Sequence, residues 1–171
     1  MTGAVLPGVT RVRVRVAQPT DAQAMARVHY HAVHSKGAGS YPLVTLERWS
    51  PLPDEARYER LRQGIRGGRE LFRVAQDDSG VIGFGSIVPA ALELRSLYVY
   101  AAAGQRGVGA ALLAELEALA GTQGCAELNL EASLNSQGFY RRHGYLVIAS
   151  ATHTLADGSP LACIRMRKQI R

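Results

Sequence analysis

Between Leu92 and Glu131 the sequence changes period twice, and this stretch constrains the fold most. Leu92 to Tyr100 reads as a strand. Val108, Leu112, Leu116 and Leu119 or Ala120 then fall on one stripe of a helix that Gly121 and Gly124 end. Ala126, Leu128 and Leu130 alternate with Glu127, Asn129 and Glu131, which is a second strand. Strand, helix and strand in this order make a crossover, so the two strands run parallel and the helix packs on their sheet. The turn into the helix carries its own chemistry. Gly107 and Gly109 let a ligand approach the backbone with no Cβ in the way. The free N–H groups of the helix's first turn, the helix dipole and Arg106 all favour an anion such as a pyrophosphate.

The flanking segments supply the rest of a mixed sheet. Arg11 to Val16 alternates Arg and Val, which predicts an edge strand with one apolar and one charged, solvent-facing side. No aromatic residues interleave there for base stacking, so a nucleic-acid stripe is disfavoured. Gln18-Pro19-Thr20-Asp21 opens a helix that runs through Met25, Val28 and Val33. From Lys36 to Asp54, Gly37, Gly39, Pro42, Pro51 and Pro53 predict a packed loop without regular elements, either anchored by Tyr41, Leu43, Leu46 and Trp49 or lending Tyr41 and Trp49 to a ligand site. Asp54 to Ile65 reads as a short charged helix ended by Gly67-Gly68. Leu71 to Ala75 and Val81 to Val88 form a hairpin across Gln76-Asp77-Asp78-Ser79-Gly80. Ser133 to His143 is a short helix stopped by Gly144, and Tyr145 to Thr154 and Leu161 to Lys168 are a last hairpin. With no repeat or linker, residues 1–171 read as one domain, with residues 1–9 as a flexible N-terminus.

Composition narrows the class. A chain of 171 residues that is 47% hydrophobic can bury a core and contains no membrane span. The first nine residues hold no Lys or Arg and no apolar run of signal-peptide length, so a cytoplasmic protein is expected. Cys125 and Cys163 are too few for a disulfide framework and lack metal-ligand spacing. The net charge of +6 suits an anionic ligand, but Arg is spread along the chain and does not argue for nucleic acid. Among His29, His31 and His34 a helix places only the last two on a shared face, with no carboxylate at ligand spacing. No metal is expected; exposed helix surface is favoured over a place for His31 or His34 in an acceptor pocket.

Two motifs specify more. Val99, Gly107 and Gly109 match the loop Val-x-Pro-x-x-(Arg/Gln)-Gly-x-Gly-x-(Gly/Ala), and Phe139-Tyr140-Arg141-Arg142-His143-Gly144-Tyr145 match Phe-Tyr-x-x-x-Gly-(Phe/Tyr). With the hairpins on either side, the chain resembles the GCN5-related N-acetyltransferase (GNAT) superfamily over nearly its whole length. Its Glu-Ala-Ser segment, Tyr41, Trp49 and last strand look most like the YafP-like branch. The loop departs from the pattern at Ala101, Gly104 and Gln105, where relatives carry Pro, Arg or Gln, and Gly. A dinucleotide-binding fold is excluded, because its third glycine would fall at Leu112.

The resemblance implies an α+β fold: one GNAT-like domain with a mostly antiparallel mixed sheet of about seven strands, one parallel and splayed pair, and about four flanking helices. It implies acetyl-CoA as acyl donor, lying in the gap between the strands that end near Val99 and Glu131. Leu97, Tyr98 and Val99 would pair with the pantetheine amides as an added strand does. Gly104, Gln105, Arg106, Gly107, Val108, Gly109 and Ala110 would cradle the pyrophosphate, and Ser133 or Asn135 would serve the pantetheine arm. Tyr140 would protonate the departing CoA thiolate. Glu93 is either a general base acting through water or, the favoured reading, a strand carboxylate paired with Arg95 or another Arg. The acceptor would be a primary amine of a small molecule or peptide, attacked directly in a ternary complex, with no membrane partner and pairing into a homodimer left open. A non-catalytic acyl-CoA-binding or sensing module is the alternative, against which Tyr140 argues.

Overall fold

The computed structural model describes residues 11–170, so the segment expected to be flexible, residues 1–9, lies outside the described residues. Seven strands form one sheet: β1 Arg13–Val16, β2 Leu71–Asp77, β3 Gly80–Val88, β4 Glu93–Val99, β5 Glu127–Ser133, β6 Leu146–Thr154 and β7 Pro160–Gln169. Their order is β1-β2-β3-β4-β5-β7-β6, and every neighbouring pair is antiparallel except β4 with β5. The helices are α1 Ala22–Lys36, α2 Leu43–Trp49, α3 Glu55–Gly67, α4 Val108–Thr122 and α5 Gln137–Arg142. The mixed sheet and its single parallel pair are those the sequence implied.

Side-chain alternation along β3 divides the helices between the two faces. Phe84 packs with Met25 and Val28 of α1 and with Leu61 and Ile65 of α3. Its neighbours Gly83 and Gly85 lie under α4, where a Cβ at Gly85 would stand 2.6 Å from Leu116 Cδ1 and 2.8 Å from the Ser96 carbonyl oxygen. Glycine at this position lets α4 sit close on the sheet. The main core lies on that side, where Leu113 and Leu116 meet Ile87, Leu128, Leu130, Tyr140, Tyr145 and Met166.

Several boundaries differ from the expectation. The 36–54 segment is not an irregular loop: it holds α2, giving five α-helices among the described residues. Pro42 occupies the extended residue before α2 and Pro51 follows its end, so the prolines bound a helix and do not interrupt one. Gly121 lies inside α4, and the chain turns away at Gly124, whose φ is +79°. β5 continues to Ser133, which delays α5 to Gln137. On β1 the alternation is not respected: Val16 is 54% exposed, while Arg15 reaches Asp21 at 2.8 Å.

The histidines also part company. His29 is buried, not on exposed surface, and its Nδ1 lies 2.7 Å from Ser50 Oγ. His34 Nε2 lies 2.9 Å from the Ser50 carbonyl oxygen, so it donates there. Both residues fasten the end of α2 to α1. His31 faces elsewhere and packs on Tyr100 with ring centroids 5.6 Å apart. The rings therefore do not converge as a ligand set.

Two measurements test this packing. Burial first, then Arg57 and His34, pushes the His29 imidazole down to about 3. The unfolded chain takes up that proton near pH 6.5, so stability present above this pH is lost progressively as pH falls toward the folded value, by about 2 kcal/mol at pH 5. Melting curves between pH 7 and pH 5 should show the loss, and His29→Gln should flatten it; an equally steep fall in the variant would refute the assignment. Gly85→Val should lower the free energy of unfolding by about 2 kcal/mol or more, read as a fall in the denaturant midpoint at unchanged slope. A variant as stable as the parent would mean that α4 is not held this close.

Candidate active site

β4 and β5 are paired at one position, Glu93 with Asn129, with the Asn129 N–H donating to the Leu92 carbonyl at 2.7 Å. Beyond it the strands diverge. A bulge contributes: Ser86 faces Ser96 but Ile87 faces Leu94, so Arg95 is an extra residue that bends β4 away. β4 stays bonded to β3 and β5 to β7, so the facing backbone edges open onto a cleft of about 460 Å³.

The cleft brings together most of the residues the sequence singled out. Leu97, Tyr98 and Val99 form one wall, and Ser133 and Asn135 belong to the other. Gly104, Gln105 and Gly109 close one end, and Tyr140 faces in from α5. Ser133 Oγ is 2.8 Å from Ser136 Oγ, which commits it to the turn before α5. The Asn135 amide has no such bond among the described residues. Gly109 sits where a Cβ would stand 3.4 Å from the Phe139 ring, so it lets α4 approach α5.

Others are not part of the cleft. Glu93 lies at the pinch, its carboxylate 2.8 Å from Arg95 Nη2, which is the ion-pair reading of that residue. Arg106 Nη1 lies 2.8 Å from Asp77 Oδ2 and lines a separate depression beside His31 and Tyr100. The Ser79 hydroxyl, then Arg106, holds the Asp77 carboxyl down at about 2. The Val108 side chain is in the core with Leu112. Gly107 takes a φ of +75° to turn a short 3-10 segment, Ala101–Arg106, into α4, and neither it nor Ala110 lines the cleft.

Tyr140 is 6% exposed, and its ring packs against Phe139 and Tyr145 at 5.2 and 5.6 Å between centroids. Burial raises its phenol well above the ordinary value, with Tyr98 adding to the shift. The hydroxyl has no hydrogen-bond partner among the described residues, so its proton is free to donate to a group in the cleft. Tyr98 contacts His29, Phe84 and Trp49 at 4.4, 5.5 and 6.4 Å, and burial pushes its phenol up to about 12. Tyr41 is a packing anchor: its hydroxyl donates to the Ala162 carbonyl at 2.6 Å and accepts from the Leu134 N–H at 2.9 Å. Trp49 reaches the cleft.

Among the cleft residues that sequence reasoning did not single out are the charged Lys36, Glu131 and Arg142. Lys36 follows Val33 by one helical turn on α1, and that spacing was the available signal for it. Nothing local marks the other two, which the divergence of β5 and the placement of α5 bring in.

Known proteins share this architecture. Residues 68–147 match the family model described as an acetyltransferase (GNAT) domain. A GCN5-related N-acetyltransferase from Rhodopseudomonas palustris is 27% identical over 98% of this chain and 99% of its own, with a TM-score of 0.81. The PaiA N-acetyltransferase of Thermoplasma acidophilum, solved with coenzyme A, is 25% identical over 93% of this chain and 99% of its own, with a TM-score of 0.73. YncA of Salmonella typhimurium, a putative acetyltransferase solved with acetyl-CoA, shares the fold at 18% identity, covering 95% of each chain with a TM-score of 0.69. Among curated proteins none matches the chain by sequence. The chain is thus a GNAT-like domain with an acetyltransferase signature at its centre, an enzyme of the N-acetyltransferase class.

Proposed function

We propose that the enzyme moves an acetyl group from acetyl-CoA to a primary amine of a small molecule or peptide by direct attack in a ternary complex. The observation that carries the reading is the unpaired edge of β4 facing β5, with the Tyr140 hydroxyl unengaged beside it. An extended amide chain such as pantetheine satisfies backbone groups of Leu97, Tyr98 and Val99 as a missing strand would. That proteins of similar fold carry coenzyme A or acetyl-CoA supports the choice of donor.

The chemistry follows from what surrounds the gap. The amine nitrogen bonds to the thioester carbon, the carbon–sulfur bond breaks, and the electron pair leaves on the CoA sulfur. An unpaired β4 N–H meets the oxygen as charge develops on it. Tyr140, whose burial keeps the phenol protonated, gives its proton to the thiolate and regains one from water. For the proton released by the amine, Glu131 is the carboxylate on the cleft wall, with His153 Nδ1 2.8 Å from it. Glu93 is tied to Arg95 and is given no part in this mechanism.

Acceptor choice falls to the α1–α2 side of the cleft, where Val33 and Trp49 are apolar walls. No helix among the described residues is long and apolar enough to cross a membrane. Action in the cytoplasm and kinship with the YafP-like branch remain parts of the proposal that rest on the sequence.

Acetyl-CoA at one hundred times its Kd should raise stability by about 2.7 kcal/mol, read as a rise in Tm. No shift at any concentration would end the donor assignment. Across a panel of primary amines, thiol release should report turnover, and Tyr140→Phe should lower kcat about 100-fold while CoA affinity stays within a few-fold. Unchanged kcat would remove Tyr140 as the acid, and donor binding without turnover on any amine would favour the sensing module.

A further inference from the structure

Positive charge reaches the glycine end of the cleft from an unexpected element. Lys36 is the last residue of α1, and it lines the same cleft as Gly104 and Gln105. Its Nζ lies 3.3 Å, and its Cε 3.8 Å, from the position a Cβ at Gly104 would occupy. A side chain at residue 104 would therefore crowd the ammonium. Although the residue as a whole is exposed, desolvation at this end lowers its pKa. Among the described residues no carboxylate and no hydrogen-bond acceptor is bound to it. Arg106, the basic residue within the turn itself, is held on Asp77 and faces the neighbouring depression.

A lysine to which no carboxylate among the described residues is bound, lining a ligand cleft beside its glycines, is a site for an anion. We propose that Lys36 binds the diphosphate of the acyl donor, supplying from α1 a charge that the turn does not carry at position 104, with Gly104 kept small to admit the ammonium. This rests on the acetyl-CoA reading above and assigns it a specific contact. It gives residue 104 a reason to be glycine that its φ does not, since that angle is not in the left-handed region. It also places donor binding on the helix that carries His29 and Val33, so one element contacts the diphosphate and borders the acceptor side.

Calorimetric titration with coenzyme A, 3′-dephospho-coenzyme A and pantetheine separates the outcomes. Lys36→Met should weaken coenzyme A and its dephospho form by about tenfold or more, leave pantetheine unchanged, and keep the parent's melting temperature without ligand. Lys36→Arg should recover part of the loss, and Gly104→Val should reproduce it. Unchanged coenzyme A affinity in Lys36→Met would overturn the assignment. So would an equal loss for pantetheine, which would make the residue structural, or a loss confined to coenzyme A, which would put Lys36 on the 3′-phosphate. If the parent binds none of the three, the donor reading itself falls, a result distinct from each of these.

Discussion

One strand pair decides how this molecule can work. Because β4 and β5 run parallel and touch at one position, the sheet is continuous at its base and open above it. Neither strand is free to close the gap, since β4 is held along its length by β3 and β5 by β7. The bulge at Arg95 turns β4 outward without breaking its bonds to β3 beyond Ser96. Backbone groups that would be costly to bury unpaired are left where a ligand can reach them. The cleft is thus a consequence of sheet topology, with side chains adding identity to it.

The core explains why the opening does not collapse. α4 spans the sheet and buries Leu112, Leu113 and Leu116 completely, and the absence of a Cβ at Gly85 draws it onto β3 and β4. Leu128 and Leu130 hold the β5 side to the same cluster. Both walls are anchored to one hydrophobic mass below the gap. α5 closes the far side through Tyr140, with Tyr145 following it into the same cluster, so the proposed acid is also a core residue. Its low exposure reflects both roles, because the ring packs while the hydroxyl has no partner among the described residues.

Where local pattern decides structure, the sequence was a sufficient guide. The alternation of Leu128 and Leu130 with polar residues, the stripe through Leu112 and Leu116, and the turns read at 76–80 and 156–160 each place an element without knowledge of the rest. Proline was misread in the 36–54 segment, since Pro42 can precede a helix as well as interrupt one. The burial of His29 is not local either: which faces of α1 are buried depends on α2, a helix that the prolines of the 36–54 segment conceal. Arg106 looked like a phosphate ligand because Asp77, which binds it, is remote in sequence. Glu131 and Arg142 were illegible for the same reason, as each enters the cleft only when separate elements meet, whereas Lys36 had a signal in its spacing from Val33.

The placement of charge follows this logic. A net charge of +6 spread along the chain suggested a weak general preference for anions, yet many of the arginines are bound to carboxylates: Arg15 to Asp21, Arg73 to Glu115, Arg95 to Glu93 and Arg106 to Asp77. Such pairs on a surface are worth little individually, and they leave correspondingly little field for nucleic acid. At the cleft the proposal turns on Lys36, a cation to which no carboxylate among the described residues is bound. On that proposal, anion binding depends less on the number of basic residues than on which of them the fold leaves uncompensated, and on a glycine at 104 that leaves room for the Lys36 ammonium.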